Sequence, residues 1–260
     1  MRLVVVVGLC GLIALCWAAA RAADDDSVQA LVERMDGVWA HRDMYGAMPD
    51  TVSLGTLALA IDPKSYDAQW RMARAYFWVA YTQSNRVVKK AMAAKAMSAA
   101  DLARTWRPDR VEGQYYYAIS VGEYANTIGV MQALSEGVLG KIESSAERAD
   151  AIDRDYEHGA PGTVLGRLYF MLPWPKRDLD RSRHYLEEVV ARHPRALVAR
   201  CYLADTYYAL DQHEKAREQL TFVLANEAEP GSEFDRPAPK TLAREAMQRW
   251  FPGADGAPGR

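Results

Sequence analysis

The sequence predicts an all-α chain of stacked helical hairpins, and three observations carry that prediction. A short pattern recurs: Met72-Ala73-Arg74-Ala75-Tyr76, Leu165-Gly166-Arg167-Leu168-Tyr169 and Leu203-Ala204-Asp205-Thr206-Tyr207 each read large apolar, small, two variable, tyrosine. Each stretch is followed by small or apolar residues spaced four, then three, with a stop at or near proline. Composition agrees, because half of the residues are hydrophobic, a quarter are charged, and alanine, leucine and arginine are plentiful.

The elements follow in order. In the first pair, Val38-Trp39 to Arg42 stands against Thr51, Gly55 and Ala58, closing at Pro63. The second pair sets the Met72 stretch against Ala96, Ala100 and Ala103, closing at Pro108. Tyr117-Ala118 pairs with Ile142, Ala146 and Ala149, where Ile152-Asp153-Arg154-Asp155 stands in place of a proline stop. The fourth pair joins the Leu165 stretch to Ser182, Leu186 and Val189, stopping at Pro194. The fifth joins the Leu203 stretch to Ala216, Leu220 and Val223, stopping at Glu229-Pro230. A small residue on the first helix lets its partner approach, and the tyrosine packs a turn later. This is the pattern of a degenerate tetratricopeptide repeat, and about five units are expected to stack as a superhelix of helix pairs. The closing positions 63, 108, 154, 194 and 228 are too widely spaced at first for the usual repeat of roughly 34 residues. The extra residues are assigned between the two helices of a pair, at 82–90, 126–140 and 172–177.

The flanks read differently. Met1-Arg2, the apolar run Leu3 to Ala20 and the small residues of Ala20-Arg21-Ala22 predict a signal peptide over residues 1–22. An uncleaved anchor is the alternative, because the run is long enough to span a bilayer. Lipidation at Cys10 or Cys16 is a lesser one, since leucine precedes each. Removing 1–22 takes away Arg2, Arg21 and two of three cysteines, leaving Cys201 with no intramolecular partner. The repeat domain is assigned to 23–250, and the Gly- and Pro-rich segment 251–260 to a disordered tail. A soluble periplasmic protein is expected.

Function classes are narrowed by what the chain lacks. A net charge of −2 leaves no basic surplus for a phosphate backbone, so no nucleic acid is expected. Histidines 41, 158, 184, 193 and 213 form no HExxH or Cys/His grouping, so no metal site is assigned. No GxSxG, Walker loop or GxGxxG is present, and neither an enzyme nor a cofactor is expected. Cys201 is read as a packed thiol. Asp24-Asp25-Asp26 is read as a solvated lead-in capping a helix from Ser27.

In a stack of this kind the groove is lined by first-helix side chains. The register nominates Asp67, Trp70, Arg74 and Phe77 in the second pair and Glu112, Tyr115 and Ile119 in the third. It nominates Arg167 and Phe170 in the fourth, and Cys201, Asp205 and Tyr208 in the fifth. Aromatics interleaved with arginine suit an amphipathic ligand or peptide.

Three stretches carry a family resemblance. They are Asp62-Pro63-Lys64-Ser65-Tyr66-Asp67-Ala68-Gln69-Trp70-Arg71-Met72; Tyr115-Tyr116-Tyr117-Ala118 leading to Gly140-Lys141-Ile142-Glu143; and His158-Gly159-Ala160-Pro161 through Leu172-Pro173 to Asp178-Leu179. The chain resembles the T component associated with tripartite ATP-independent periplasmic (TRAP) transporters. The resemblance implies a periplasmic helical protein that docks a solute-binding protein, with a pore that passes hydrophobic ligands. Two alternatives stand beside it: a carrier or pore component for a hydrophobic small molecule, and a general envelope assembly scaffold. A second copy of the chain is a further candidate partner.

Overall fold

Small side chains facing large ones decide how the hairpins close. The computed structural model describes residues 27–229 and 238–252, and among these every regular element is a helix. The signal peptide, the acidic triplet Asp24–Asp26 and residues 253–260 of the assigned tail lie outside the described residues. The chain divides into two compact units, Met1–Pro108 and Asp109–Arg260.

In the N-terminal unit, α1 (residues 27–39) pairs with α2 (Ala47–Ile61), and α3 (Tyr66–Thr82) pairs with α4 (Arg86–Trp106). Val32, Met35 and Trp39 recur along one face of α1 and start three core layers. Val32 packs with Ala58 and Ala68, Met35 with Leu54 and Met72, and Trp39 with Met48, Ala75 and Trp78. Gly55 lets α2 reach α3: a Cβ there would stand 2.4 Å from Met72 Cγ. Helix α4 meets α3 through a stripe of fully buried alanines, Ala93, Ala96, Ala100 and Ala103. Ser65 caps α3 by accepting from Ala68 N–H, and Asn85 caps α4 by accepting from Val87 and Val88 N–H.

In the C-terminal unit, α5 (Val111–Ile128) pairs with α7 (Val138–Ile152) across a short α6 (Val130–Ser135). Next come α8 (Ala160–Met171) with α9 (Leu179–Arg192), then α10 (Leu197–Ala209) with α11 (His213–Ala225). Gly166 on α8 faces α9 so closely that a Cβ would lie 2.4 Å from Leu186 Cγ. Successive hairpins are also joined by polar contacts. Ser182 and Thr206 hydroxyls bond at 2.8 Å in the buried α9–α10 seam. Tyr169 donates to Glu143 on α7, and Tyr207 donates to Glu187 on α9.

The predicted second-helix positions are core. Ala96, Ala100, Ala103, Leu186, Val189, Ala216, Leu220 and Val223 are all buried. Two expectations need correction. The extra residues at 82–90 do not form a loop, because α3 runs to Thr82, α4 starts at Arg86, and the helices themselves are longer. After the stop at Glu229, a further helix α12 (Ala238–Trp250) places Ala243 and Met247 in the core with Leu203, Leu220 and Val223. It covers the flank of the last hairpin, as terminal repeats of a stack require. Phe251, assigned to the tail, instead packs its ring 6.2 Å from that of Tyr208.

Candidate functional site

Within each unit, first helices bring some of the nominated residues together. In the N-terminal unit, Asp36 on α1 accepts from Arg71 Nε at 2.9 Å, Arg71 Nη2 at 2.7 Å and Arg74 Nη2 at 2.8 Å. Burial alone would raise the Asp36 carboxyl, but the hydrogen bonds and charges of the two arginines outweigh it and hold it below the usual carboxylate range. Both guanidinium groups lie against the Trp70 indole, 4.2 Å for Arg71 and 4.8 Å for Arg74, and its N–H donates to Asp67 at 3.3 Å. Arg74 also covers the Trp39 ring at 4.3 Å. Trp70, Arg74 and Phe77 are buried, whereas Asp67 stays exposed at the rim. The Arg74 guanidinium nominated for a ligand is therefore bonded, together with that of Arg71, to the chain's own carboxylate.

Of the third-pair residues, Glu112 holds an ion pair with Arg110 at 2.7 Å. Tyr115 is buried edge-on between Tyr116 and Tyr156, and Ile119 is half-buried.

The second cluster lies on α8 and α10. Arg167 Nη1 bonds Asp205 Oδ2 at 2.6 Å, and its guanidinium covers Tyr202 at 4.4 Å and Phe170 at 5.1 Å. Arg177 reaches over the Phe170 ring at 4.7 Å. Tyr208 stacks on Trp250 at 4.2 Å. Phe170, Tyr202, Asp205 and Tyr208 all keep part of their surface open. Burial raises the Asp205 carboxyl above its ordinary value, against the opposing pull of Arg167. Tyr202 escaped the sequence register; its spacing of three from Asp205 on one helix was the available signal.

Cys201 sits beneath this surface, buried, with its thiol 3.4 Å from the Pro239 carbonyl of α12. Burial, then the neighbouring Asp205 carboxylate, pushes it up to about 12, which leaves no thiolate for chemistry near neutrality. His193 bonds Asp155 at 2.9 Å with His158 beside it, and no metal-binding group of His, Cys, Asp and Glu occurs among the described residues. A cavity of about 820 Å³ opens in the N-terminal unit beside Val32, Ser65, Tyr66 and Trp106 and meets the predicted set only at Asp67.

No family model matches the chain, and no curated protein matches it. Solved structures do. The thermophilic TPR protein TTC0263 of Thermus thermophilus is 14% identical, with 85% of this chain and 98% of that one covered at a TM-score of 0.62. The fold is tetratricopeptide-like. PilF of Pseudomonas aeruginosa, 14% identical, matches over 89% of this chain and 95% of its own with a TM-score of 0.57. MamA, 11% identical, matches over 87% and 96% with a TM-score of 0.51. Among the described residues no helix is long and apolar enough to cross a membrane.

Proposed function

We propose that the chain is a non-enzymatic docking module whose binding surface is the α8–α10 face of the C-terminal unit. The observation that carries this reading is the arrangement around Arg167. Two part-exposed rings, Phe170 and Tyr202, flank the Arg167 guanidinium of an Arg167–Asp205 ion pair that is itself accessible, and the part-exposed Tyr208 lies one turn beyond Asp205 on α10. The rings offer apolar surface, and the ion pair can re-pair with a carboxylate or an ammonium of an incoming segment. Of the other nominated residues, Trp70, Arg74, Phe77 and Tyr115 are assigned to packing within their own units, and Asp67, Glu112 and Ile119 are left out of this surface.

The finer assignment rests on the sequence resemblance to the TRAP-associated T component: an exported, periplasmic accessory that docks a solute-binding protein. The test is capture from a periplasmic extract on the immobilised exported chain, with bound proteins identified by mass spectrometry. A solute-binding protein should be retained by the wild type and lost on Phe170→Ala and Arg167→Glu. The expected loss is about 2 kcal/mol or more for Phe170→Ala, the size of an interface hot spot. Undiminished capture by both variants would remove the α8–α10 face from consideration.

A further inference from the structure

Among the described residues the five most exposed large apolar side chains, Tyr45, Trp174, Met131, Val87 and Met44, all stand at or beside turns inside hairpins, while Leu57, Leu102 and Leu242 are exposed along helices. In the C-terminal unit Met131 is 79% exposed in the α5–α7 connection, and Met171 and Trp174 are 50% and 89% exposed at the α8–α9 turn. The N-terminal unit repeats the pattern at its own intra-hairpin turns, with Met44 at 66%, Tyr45 at 107% and Val87 at 78%. The turns between hairpins, such as 62–65, 153–159 and 193–196, carry Asp, Glu, Lys, Arg and His instead. Within the C-terminal unit the hairpins stack with like turns on one side, as the Tyr169–Glu143 bond between the end of α8 and the start of α7 shows. The two edges of that stack thus differ in chemistry.

The α8–α9 turn is the most developed of these tips. Trp174 stands between Pro173 and Pro175, whose rings restrict the backbone. The turn is folded: Lys176 and Arg177 N–H donate to the Pro173 carbonyl, and Asp178 N–H donates to the Tyr169 carbonyl. Lys176 and Arg177 follow at once, exposed, and neither has a carboxylate within ion-pair distance among the described residues. Asp178, the nearest acid in sequence, is occupied in capping α9. An indole held out on a rigid turn beside two uncompensated cations suits one surface best. Tryptophan settles at the headgroup level of a bilayer, and lysine and arginine are drawn to anionic lipid. A protruding tip can enter such a soft, flat surface, whereas a protein would need a pocket of its own to receive it.

We propose that the α8–α9 tip, through Trp174, Lys176 and Arg177, docks this protein on an anionic phospholipid surface. One tip gives weak, reversible, salt-sensitive binding.

The apolar run in residues 3–20 would itself hold vesicles, so the test must report the tip alone. The full chain is mixed with vesicles containing brominated phosphatidylglycerol, and fluorescence quenching is compared between wild type and Trp174→Phe. The difference isolates Trp174. It should be present, fall about fivefold in Lys176→Ala in line with the loss of one lipid-facing cation, and shrink as salt is raised. Circular dichroism of both variants should match the wild type, because neither side chain is packed. No Trp174-dependent quenching, or equal quenching on neutral brominated phosphatidylcholine, would overturn the proposal. So would protection of Trp174 from a soluble quencher by an acidic peptide but not by vesicles, which would make the tip a protein-docking element.

Discussion

Tyr169 Oη donates a 2.5 Å hydrogen bond to Glu143 Oε1, tying α8 to the second helix of the preceding hairpin. Tyr207 makes the same bond to Glu187 at 2.7 Å one hairpin later. The tyrosine of the recurring sequence pattern is thus a packing ring and also the donor of an inter-hairpin bond. Arg181 closes the first pair from outside, with its guanidinium 3.9 Å from the Tyr169 ring centre and 3.6 Å from the same carboxylate.

Burial, then the bond to glutamate, raises both phenols well above 10.0. A group whose folded value is raised stabilises the fold fully below its unfolded value and loses that contribution as pH climbs toward the folded one. Spectrophotometric titration should therefore show a class of tyrosines that ionise only as the protein unfolds in alkali. Tyr169→Phe and Tyr207→Phe should each shrink that class and cost about 1 kcal/mol in urea unfolding at neutral pH. Uniform titration of every tyrosine near pH 10 in folded protein would contradict the assignment.

Gly166→Ala should destabilise the chain by about 1–3 kcal/mol, because the new Cβ meets Leu186 Cγ and not the end of a flexible side chain. Gly140, in α7 with nothing near its missing Cβ, is the matched control. Gly140→Ala should be neutral or stabilising by about 0.5–1 kcal/mol through helix propensity. Parallel denaturation curves of the two variants give the answer.

Asp36→Asn should weaken the fold by about 1–2 kcal/mol at neutral pH, a figure reduced from that of a fully buried pair because the carboxylate is 43% exposed. The carboxyl is held below 3.8, so its contribution is present above that value and fades as pH falls through the folded one. The variant should show a flatter acid limb than the wild type in a stability-versus-pH series. Trp70→Ala should cost more, about 3–5 kcal/mol, as a truncated core ring, with capture through the α8–α10 face kept at temperatures where it folds.

Cys201 should react with a thiol reagent only on unfolding, since it is buried and its thiol is pushed up to about 12. Cys201→Ala should leave partner capture intact. Rapid stoichiometric labelling of native protein at neutral pH would show that α12 does not cover the site.

The class of fold is legible in the chain itself, because both helices of a hairpin write their contacts in local spacing. Ala96, Ala100 and Ala103, or Ala216, Leu220 and Val223, recur every three or four residues for one reason, that a helix turns in about 3.6. Positions that need a small residue, such as Gly55 and Gly166, were legible for the same reason. The first-helix register also nominated Arg167, Phe170 and Asp205, which meet in the α8–α10 cluster. Sequence spacing gives the face of a helix; it does not give what lies opposite. That Asp36, thirty-eight residues before Arg74, takes up both arginines of the second hairpin came to light only in three dimensions. So did the covering of Trp70 and Tyr115, and the closure of α12 over Cys201. Those facts depend on contacts between elements far apart along the chain. Burial and ion pairing are properties of two surfaces brought together, and the local pattern specifies one surface at a time.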